Sequence, residues 1–253
     1  MYFTVVSKKK VFSTACLVLV GILATISIFC VGIKGVFGGG SKKLPIYRVD
    51  TDEKKIAISF DCAWGVDYTD ILLDVMKEKD VRCTFFMVKF WTDKHPDYVK
   101  KIADFGHEIG THSSTHPYMS KLNKIAIVNE LTSSMQAITD ITGKSVEVFR
   151  APYGDYNDLL IDTAFDLGLY TIQWDVDSLD WKNLSANEIY KRVINKVKNG
   201  SIVLFHNQGL HTAEALPSII DALKGAGYTF VPIGELIYRD NYHMGVDGAQ
   251  IKN

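Results

Sequence analysis

The residues of this chain best suited to chemistry are His112 and His116, four positions apart in the stretch Gly110 to His116. At that spacing two imidazoles can turn to one side of a helical turn or a tight loop, and imidazole is the commonest protein ligand for zinc and related divalent metals. A bare H-x-x-x-H is also the spacing of two surface or core histidines, so the pair alone decides little. Its company decides more. Asp61, Arg150, Asp177, Asp180 and His206 each follow a run that reads as a β-strand. If those strands are parallel, carboxylates, a guanidinium and three imidazoles arrive at one face of the molecule.

The elements that must position these groups alternate from Leu44 onward. Lys55 to Asp61, Cys83 to Val88, Glu108 to Thr111, Val146 to Arg150, Tyr170 to Trp174, Ser201 to Phe205 and Thr229 to Pro232 read as strands. Tyr68 to Glu78, Asp97 to Phe105, Lys124 to Thr142, Asn157 to Leu167, a helix opened by the Ser185–Glu188 capping box and running to about Val197, and Thr212 to Ala226 read as helices. About seven strands alternating with helices predict an α/β protein with a parallel sheet or barrel. In such a barrel, function sits at the C-terminal strand ends. No G-x-G-x-x-G or Walker pattern supports a nucleotide fold. Tyr238 to Asn253, polar with two glycines, reads as a loose tail.

The 253 residues carry 28 basic and 29 acidic side chains. Met1 to Lys43 holds six of the lysines and no acid, which leaves 22 basic against 29 acidic residues, about −7, in the remainder. That balance argues against a nucleic-acid partner. Val11 to Ile33 is uncharged, apolar and long enough, at about 20 residues, to cross a bilayer. Lys8, Lys9 and Lys10 precede it, and it has no convincing cleavage site, which favours an uncleaved signal anchor over a cleaved signal peptide. The expected organisation is a cytoplasmic basic segment 1–10, a transmembrane signal anchor 11–33, a linker 34–53, a globular domain 54–238 and a tail 239–253. The expected location is a cell membrane, single-pass, with the globular domain extracytoplasmic, or secreted if the segment is cleaved. Cys62 ends one expected strand and Cys83 begins the next, so in neighbouring parallel strands they lie too far apart for a disulfide.

Five segments, in order, resemble the motifs of polysaccharide deacetylases, the NodB-homology enzymes of carbohydrate esterase family 4. They are Ser59 to Asp61, His112 to His116, Arg150 to Tyr153, Asp177 to Trp181 and Leu204 to His206. The resemblance spans roughly Lys54 to Leu236. It implies a distorted, incomplete (β/α) barrel and a metal-dependent N-deacetylase acting on amino sugars of a cell-wall glycan, peptidoglycan foremost. The anchor followed by one catalytic domain is similar to peptidoglycan and sporulation-associated deacetylases. By the same resemblance, His112 and His116 hold a divalent metal (zinc favoured; Co, Mn, Ni or Fe the others). Asp61 is the general base, Arg150 orients it, and the Tyr153 backbone N–H serves the oxyanion. His206 is the general acid, held by Asp180, while Trp181, Leu204 and Asp177 belong to the substrate pocket. Cys62 stands where the family usually has a second aspartate on the metal. A thiolate ligand and a small buried residue are both open readings, the second slightly favoured. Two other functions stay in view: a weakened member that binds wall glycan without turnover, and a deacetylase of another acylated substrate.

Overall fold

A computed structural model describes residues 42–253. The expected basic segment 1–10, the expected anchor Val11 to Ile33 and residues 34–41 of the expected linker lie outside the described residues. Among the described residues no helix is long and apolar enough to cross a membrane.

The chain enters through a short strand, β1 (Arg48–Asp50), and then the long central strand β2 (Lys55–Cys62). There follow α1 (Thr69–Glu78), β3 (Thr84–Met87), α2 (Lys89–Lys94), α3 (Pro96–Asp104) and β4 (Glu108–Thr111). The middle of the chain supplies α4 (Lys124–Thr142), β5 (Val148–Phe149), α5 (Asp158–Asp166), β6 (Tyr170–Thr171) and β7 (Val176–Asp177). The last part holds α6 (Ala186–Ile194), β8 (Ile202–His206), α7 (Thr212–Gly225), β9 (Thr229–Phe230), α8 (Ile233–Leu236), β10 (Tyr242–Met244) and β11 (Ala249–Lys252).

Seven strands lie in the order β6-β5-β4-β3-β2-β8-β7, and β9 pairs with β2 beside them. Every pairing in this sheet is parallel. The sheet is a curled half-barrel, open between β6 and β7, which agrees with the incomplete α/β barrel expected. The segment before β2 lies across that opening. Ile46 bridges Ile172 in parallel, and Arg48 bridges Ser201 at the start of β8.

Alternation along β2 shows how the barrel is filled. Ile56, Ile58, Phe60 and Cys62 join the core between sheet and helices, where Phe60 stacks on Phe85 at 5.1 Å and on Phe205 at 5.6 Å. Ala57 belongs instead to the inner core with Phe86, Val148, Ile172 and Ile202. Asp61, two turns of the pleat beyond Ala57, is therefore directed to the inner side, opposite Cys62.

Helix ends follow local chemistry. Asn123 accepts the Ala126 N–H to open α4, which closes on Gly143 in the left-handed conformation. The Ser185–Glu188 capping box opens α6 as the sequence predicts. Three expectations need correction. The strands expected over Val146 to Arg150 and Tyr170 to Trp174 shrink to two residues each, because only Val148 and Phe149 pair with Tyr170 and Thr171. Residues 239–253 are no loose tail: β10 and β11 form an antiparallel pair whose inner strand runs parallel to β1. Finally, α2 and β7 are elements that the apolar pattern does not reveal.

Candidate active site

Parallel register brings the site together. Asp61 pairs with His206 across β2 and β8, and Thr111 pairs with Phe149, so His112 and Arg150 follow directly at adjacent strand ends. These ends open into a cleft of about 680 Å³. Its walls include Asp61, His112, His116, Tyr153, Asp177, Trp181, Leu204 and His206.

Asp61 is nearly buried, and Arg150 is fully so. Arg150 Nη1 donates to Asp61 Oδ1 at 2.8 Å, and Nη2 donates to the Gln173 carbonyl at 3.2 Å. Its guanidinium lies 4.2 Å from the Phe86 ring centre and 5.5 Å from that of Trp174. Burial alone would push the Asp61 carboxyl up, but the Arg150 charge, with smaller help from His112 and His206, holds it below its ordinary value. Asp61 is thus an ionised carboxylate on a fixed mount.

His112 Nδ1 donates to the Arg150 carbonyl at 2.8 Å. A carbonyl can only accept, so His112 Nε2 keeps its lone pair, 3.5 Å from Asp61 Oδ2. His116 lies beside it, ring centres 4.9 Å apart. Burial pushes both imidazoles down, His116 to about 4 with the His112 charge adding to the effect, so both are neutral bases at neutral pH.

On the opposite wall, His206 Nδ1 donates to Asp180 Oδ1 and its backbone N–H to Asp180 Oδ2, both at 2.8 Å. Thr212 Oγ1 adds a third bond to Asp180 at 2.7 Å. Gly209 makes this possible, since a Cβ there would lie 2.6 Å from Asp180 Oδ2. Burial pulls the His206 pKa down, but the Asp180 hydrogen bond and the charges of Asp180, Asp61 and Asp177 raise it above the ordinary value. The cleft therefore holds an ionised carboxylate and an imidazole of raised proton affinity facing one space, an arrangement suited to acid–base hydrolysis.

Backbone strain collects here. Ser113, His116, Tyr153, Leu179 and Asn183 all have positive φ, leaving only Asp80 and Asn241 elsewhere among the described non-glycine residues. Glu130, on α4, explains how the histidine loop tolerates this. Its carboxylate accepts the Ser114 and Thr115 N–H groups, each at 2.8 Å, and the Thr115 hydroxyl at 2.7 Å. Glu130, Thr212 and Gln173 escape a reading of the sequence, because each stands inside or beside an unremarkable apolar run. Asp177 sits on β7 and accepts the Leu179 N–H at 2.8 Å, shaping the turn that delivers Asp180.

Cys62 is apart from all this. It is fully buried in the outer core and does not line the cleft, its Sγ lies 3.9 Å from the Phe60 carbonyl, and burial pushes its thiol well up. It is therefore a neutral thiol on the far face of β2.

An open barrel with a strand-end carboxylate and paired imidazoles in one cleft is an arrangement suited to hydrolysis. The polysaccharide deacetylase family model matches residues 48–172. A peptidoglycan-N-acetylglucosamine deacetylase of Bacillus cereus is 34% identical over 196 residues, covering 76% of this chain and 92% of the relative. The chain belongs to the polysaccharide deacetylase family, hydrolases that act on carbon–nitrogen bonds and are generally metal-dependent. YlxY of Bacillus subtilis is 34% identical over 76% of this chain. The chain spans only 60% of YlxY and 43% of the deacetylase PgdA of Listeria monocytogenes. Among solved structures, a carbohydrate esterase family 4 pseudoenzyme from Bacillus anthracis superposes with TM-score 0.75 at 33% identity, covering 83% of this chain and 73% of that one. A mutant of that pseudoenzyme, described as having restored activity, gives TM-score 0.74 at 36% identity, covering 76% and 70%.

The residues present fit a divalent metal in part. His112 Nε2 is free to ligate, and His116 Nδ1 is buried without a hydrogen-bond partner. Two neutral imidazoles suit zinc and its neighbours. Among the described residues, no group of three or more His, Cys, Asp or Glu side chains is placed to hold a metal ion.

Proposed function

We propose that this chain is an N-deacetylase of cell-wall glycan, peptidoglycan foremost, held at the membrane by the Val11 to Ile33 segment with its catalytic domain outside the cell. The observation that carries the reading is the facing of Asp61–Arg150 and Asp180–His206 across one cleft. The names of the deacetylase relatives support the substrate class. Asp61, kept ionised by Arg150, takes a proton from the water that attacks the acetyl carbon. The Tyr153 backbone N–H receives the oxyanion, while Trp181 and Leu204 enclose the acetyl methyl. His206, kept protonated by Asp180, gives its proton to the sugar nitrogen as the C–N bond breaks, releasing acetate and a free amine. A divalent metal held by His112 and His116 would supply polarisation of the acetyl carbonyl.

A second reading, glycan binding without turnover, rests on two observations. Among the described residues no group of three or more His, Cys, Asp or Glu side chains is placed to hold a metal ion, and a neighbour of similar fold is a pseudoenzyme. The test is acetate release from N-acetylated glycan fragments and peptidoglycan by the 253-residue chain, with defined metals and an Asp61→Asn control. Release that disappears in Asp61→Asn supports the deacetylase. Glycan binding without release on any of these substrates supports the second reading.

A further inference from the structure

At the N-terminal ends of β3 and β4, the end of the sheet opposite the cleft, three soft donors meet in the core. Cys83, the residue before β3, places its Sγ 3.2 Å from Met76 Sδ on α1 and 3.6 Å from Nδ1 of His107, the residue before β4. Cys83 and Met76 are fully buried, and His107 is 4% exposed. The run from His107 to His112 is roughly 16 Å of extended chain, and the cluster shares no residue with the cleft.

The imidazole is held in one state. The Cys83 N–H donates to His107 Nδ1 at 3.3 Å. An N–H can only donate, so Nδ1 carries the lone pair and, in the neutral ring, Nε2 carries the proton. Phe85 lies edge-on to this ring at 5.4 Å and Phe105 stacks on it at 6.5 Å between centres. Nε2 is buried with no hydrogen-bond partner, and His107 lines a cavity of about 380 Å³ that reaches the surface at Lys144, Ser145 and Glu147. The cavity is therefore a way in, with the imidazole between it and the thiol. A thiol against a thioether is ordinary core packing, but packing does not require an imidazole lone pair beside the same sulfur.

We propose that Cys83, Met76 and His107 form a binding site for a soft monovalent cation, copper(I) foremost. Thiolate and thioether ligands select such ions. Three donors around one ion stand roughly 3.5–4 Å apart, so the pairs at 3.2 and 3.6 Å need to open by less than about 1 Å. The unbranched Met76 side chain can supply that movement. On binding, the Cys83 S–H bond breaks, an S–metal bond forms and the proton leaves to water. The thioether and imidazole add lone pairs and no charge, so the buried centre is neutral before and after. A divalent ion would leave a net positive charge among Phe85, Val81 and Leu73, which a dry core opposes. Glu108 does not offset it, because its carboxylate already accepts the Thr84 hydroxyl at 2.7 Å and the Gly234 N–H at 3.0 Å. The site thus discriminates against the divalent metals that suit His112 and His116.

The test is an anaerobic titration with copper(I), buffered by bicinchoninate, of the 253-residue chain carrying Cys16→Ala, Cys30→Ala and Cys62→Ala, which leaves Cys83 as its only thiol. One ion should bind per chain, with two sulfur neighbours and one nitrogen in the copper X-ray absorption spectrum, and the bound ion should raise the melting temperature. Zinc in about hundredfold excess should not displace it. Met76→Leu keeps the core volume, so it should lower copper(I) affinity about tenfold or more while leaving the ion-free melting temperature nearly unchanged. Cys83→Ala should abolish binding, His107→Phe should remove the nitrogen neighbour, and His112→Ala should leave the affinity as it is. Absence of saturable binding, affinity unchanged by Met76→Leu or Cys83→Ala, a nitrogen neighbour that survives His107→Phe, or loss of binding in His112→Ala overturns the proposal.

Discussion

Replacing Arg150 by methionine removes the one cation that hydrogen-bonds the nearly buried Asp61 carboxylate, while keeping much of the apolar contact with Phe86 and Trp174. Breaking a buried pair from one side leaves an uncompensated charge and costs about 3–5 kcal/mol. Here the guanidinium is fully buried and the carboxylate 8% exposed, so solvent screens little of that cost. The double variant Asp61→Asn with Arg150→Met has no stranded charge and should lose markedly less, giving a large coupling in a double-mutant cycle. The pH dependence carries the sharper signature. In the parent, the Asp61 pKa is below its unfolded value of 3.8, so its contribution is present above that value and is lost as pH falls through the folded pKa. In Arg150→Met, burial dominates and the folded pKa rises above 3.8, so the penalty begins to lift as pH falls through the folded value and is gone below the unfolded one. Proton uptake by His112, 3.5 Å away, would act in the same direction. Urea unfolding at about pH 7 and about pH 4.5 should therefore show the gap between the two proteins narrowing on acidification. A gap that is constant or widens between these conditions refutes the account of Arg150 as the group that keeps Asp61 charged.

Glu130→Ala leaves the buried Ser114 N–H without its acceptor and should cost about 1–3 kcal/mol in thermal or urea unfolding while weakening metal binding in calorimetry; Glu130→Gln, which keeps an acceptor oxygen, should recover most of both. Cys62→Ala should cost about 1 kcal/mol of stability through the small void it leaves, yet bind divalent metal as tightly as the parent; a large loss of metal affinity would put the thiol at the site after all. Because Asp180 raises the His206 pKa, acetate release should fall as pH rises through that elevated value, and Asp180→Asn should move the alkaline limb of the pH–rate profile toward or below 6.5.

The strand-end chemistry was legible because residue type and order are local facts. Asp61, His112, Arg150 and His206 stand directly at the ends of apolar runs that a period of two or an unbroken β-branched stretch reveals. The face on which Cys62 lies follows from alternation along β2, yet sequence alone left the thiol open, since a strand end can twist either way. Glu130 was invisible for a different reason. Its value depends on where α4 crosses the histidine loop, a tertiary relation that helical periodicity does not encode. The two-residue strands β6 and β7 were blurred because their pairing is fixed by neighbours, with too few residues to show a pattern of their own. The β10–β11 pair was missed because its polar, glycine-containing sequence buries little, although Ala249 and Gln250 are fully covered once the strand lies against β1.

The way the barrel's opening is covered has a kinetic consequence. Ile46 must find Ile172, and Arg48 and Val49 must find Ser201 and Gly200, partners from the far half of the chain. During synthesis this stretch leaves the ribosome well before either partner exists. Its unpaired edge and the apolar side chains of Ile46 and Val49 wait while β2 to β5 assemble, and the ring is drawn shut only after β8 has been made. The segment that emerges first among the described strands is thus among the last that can dock.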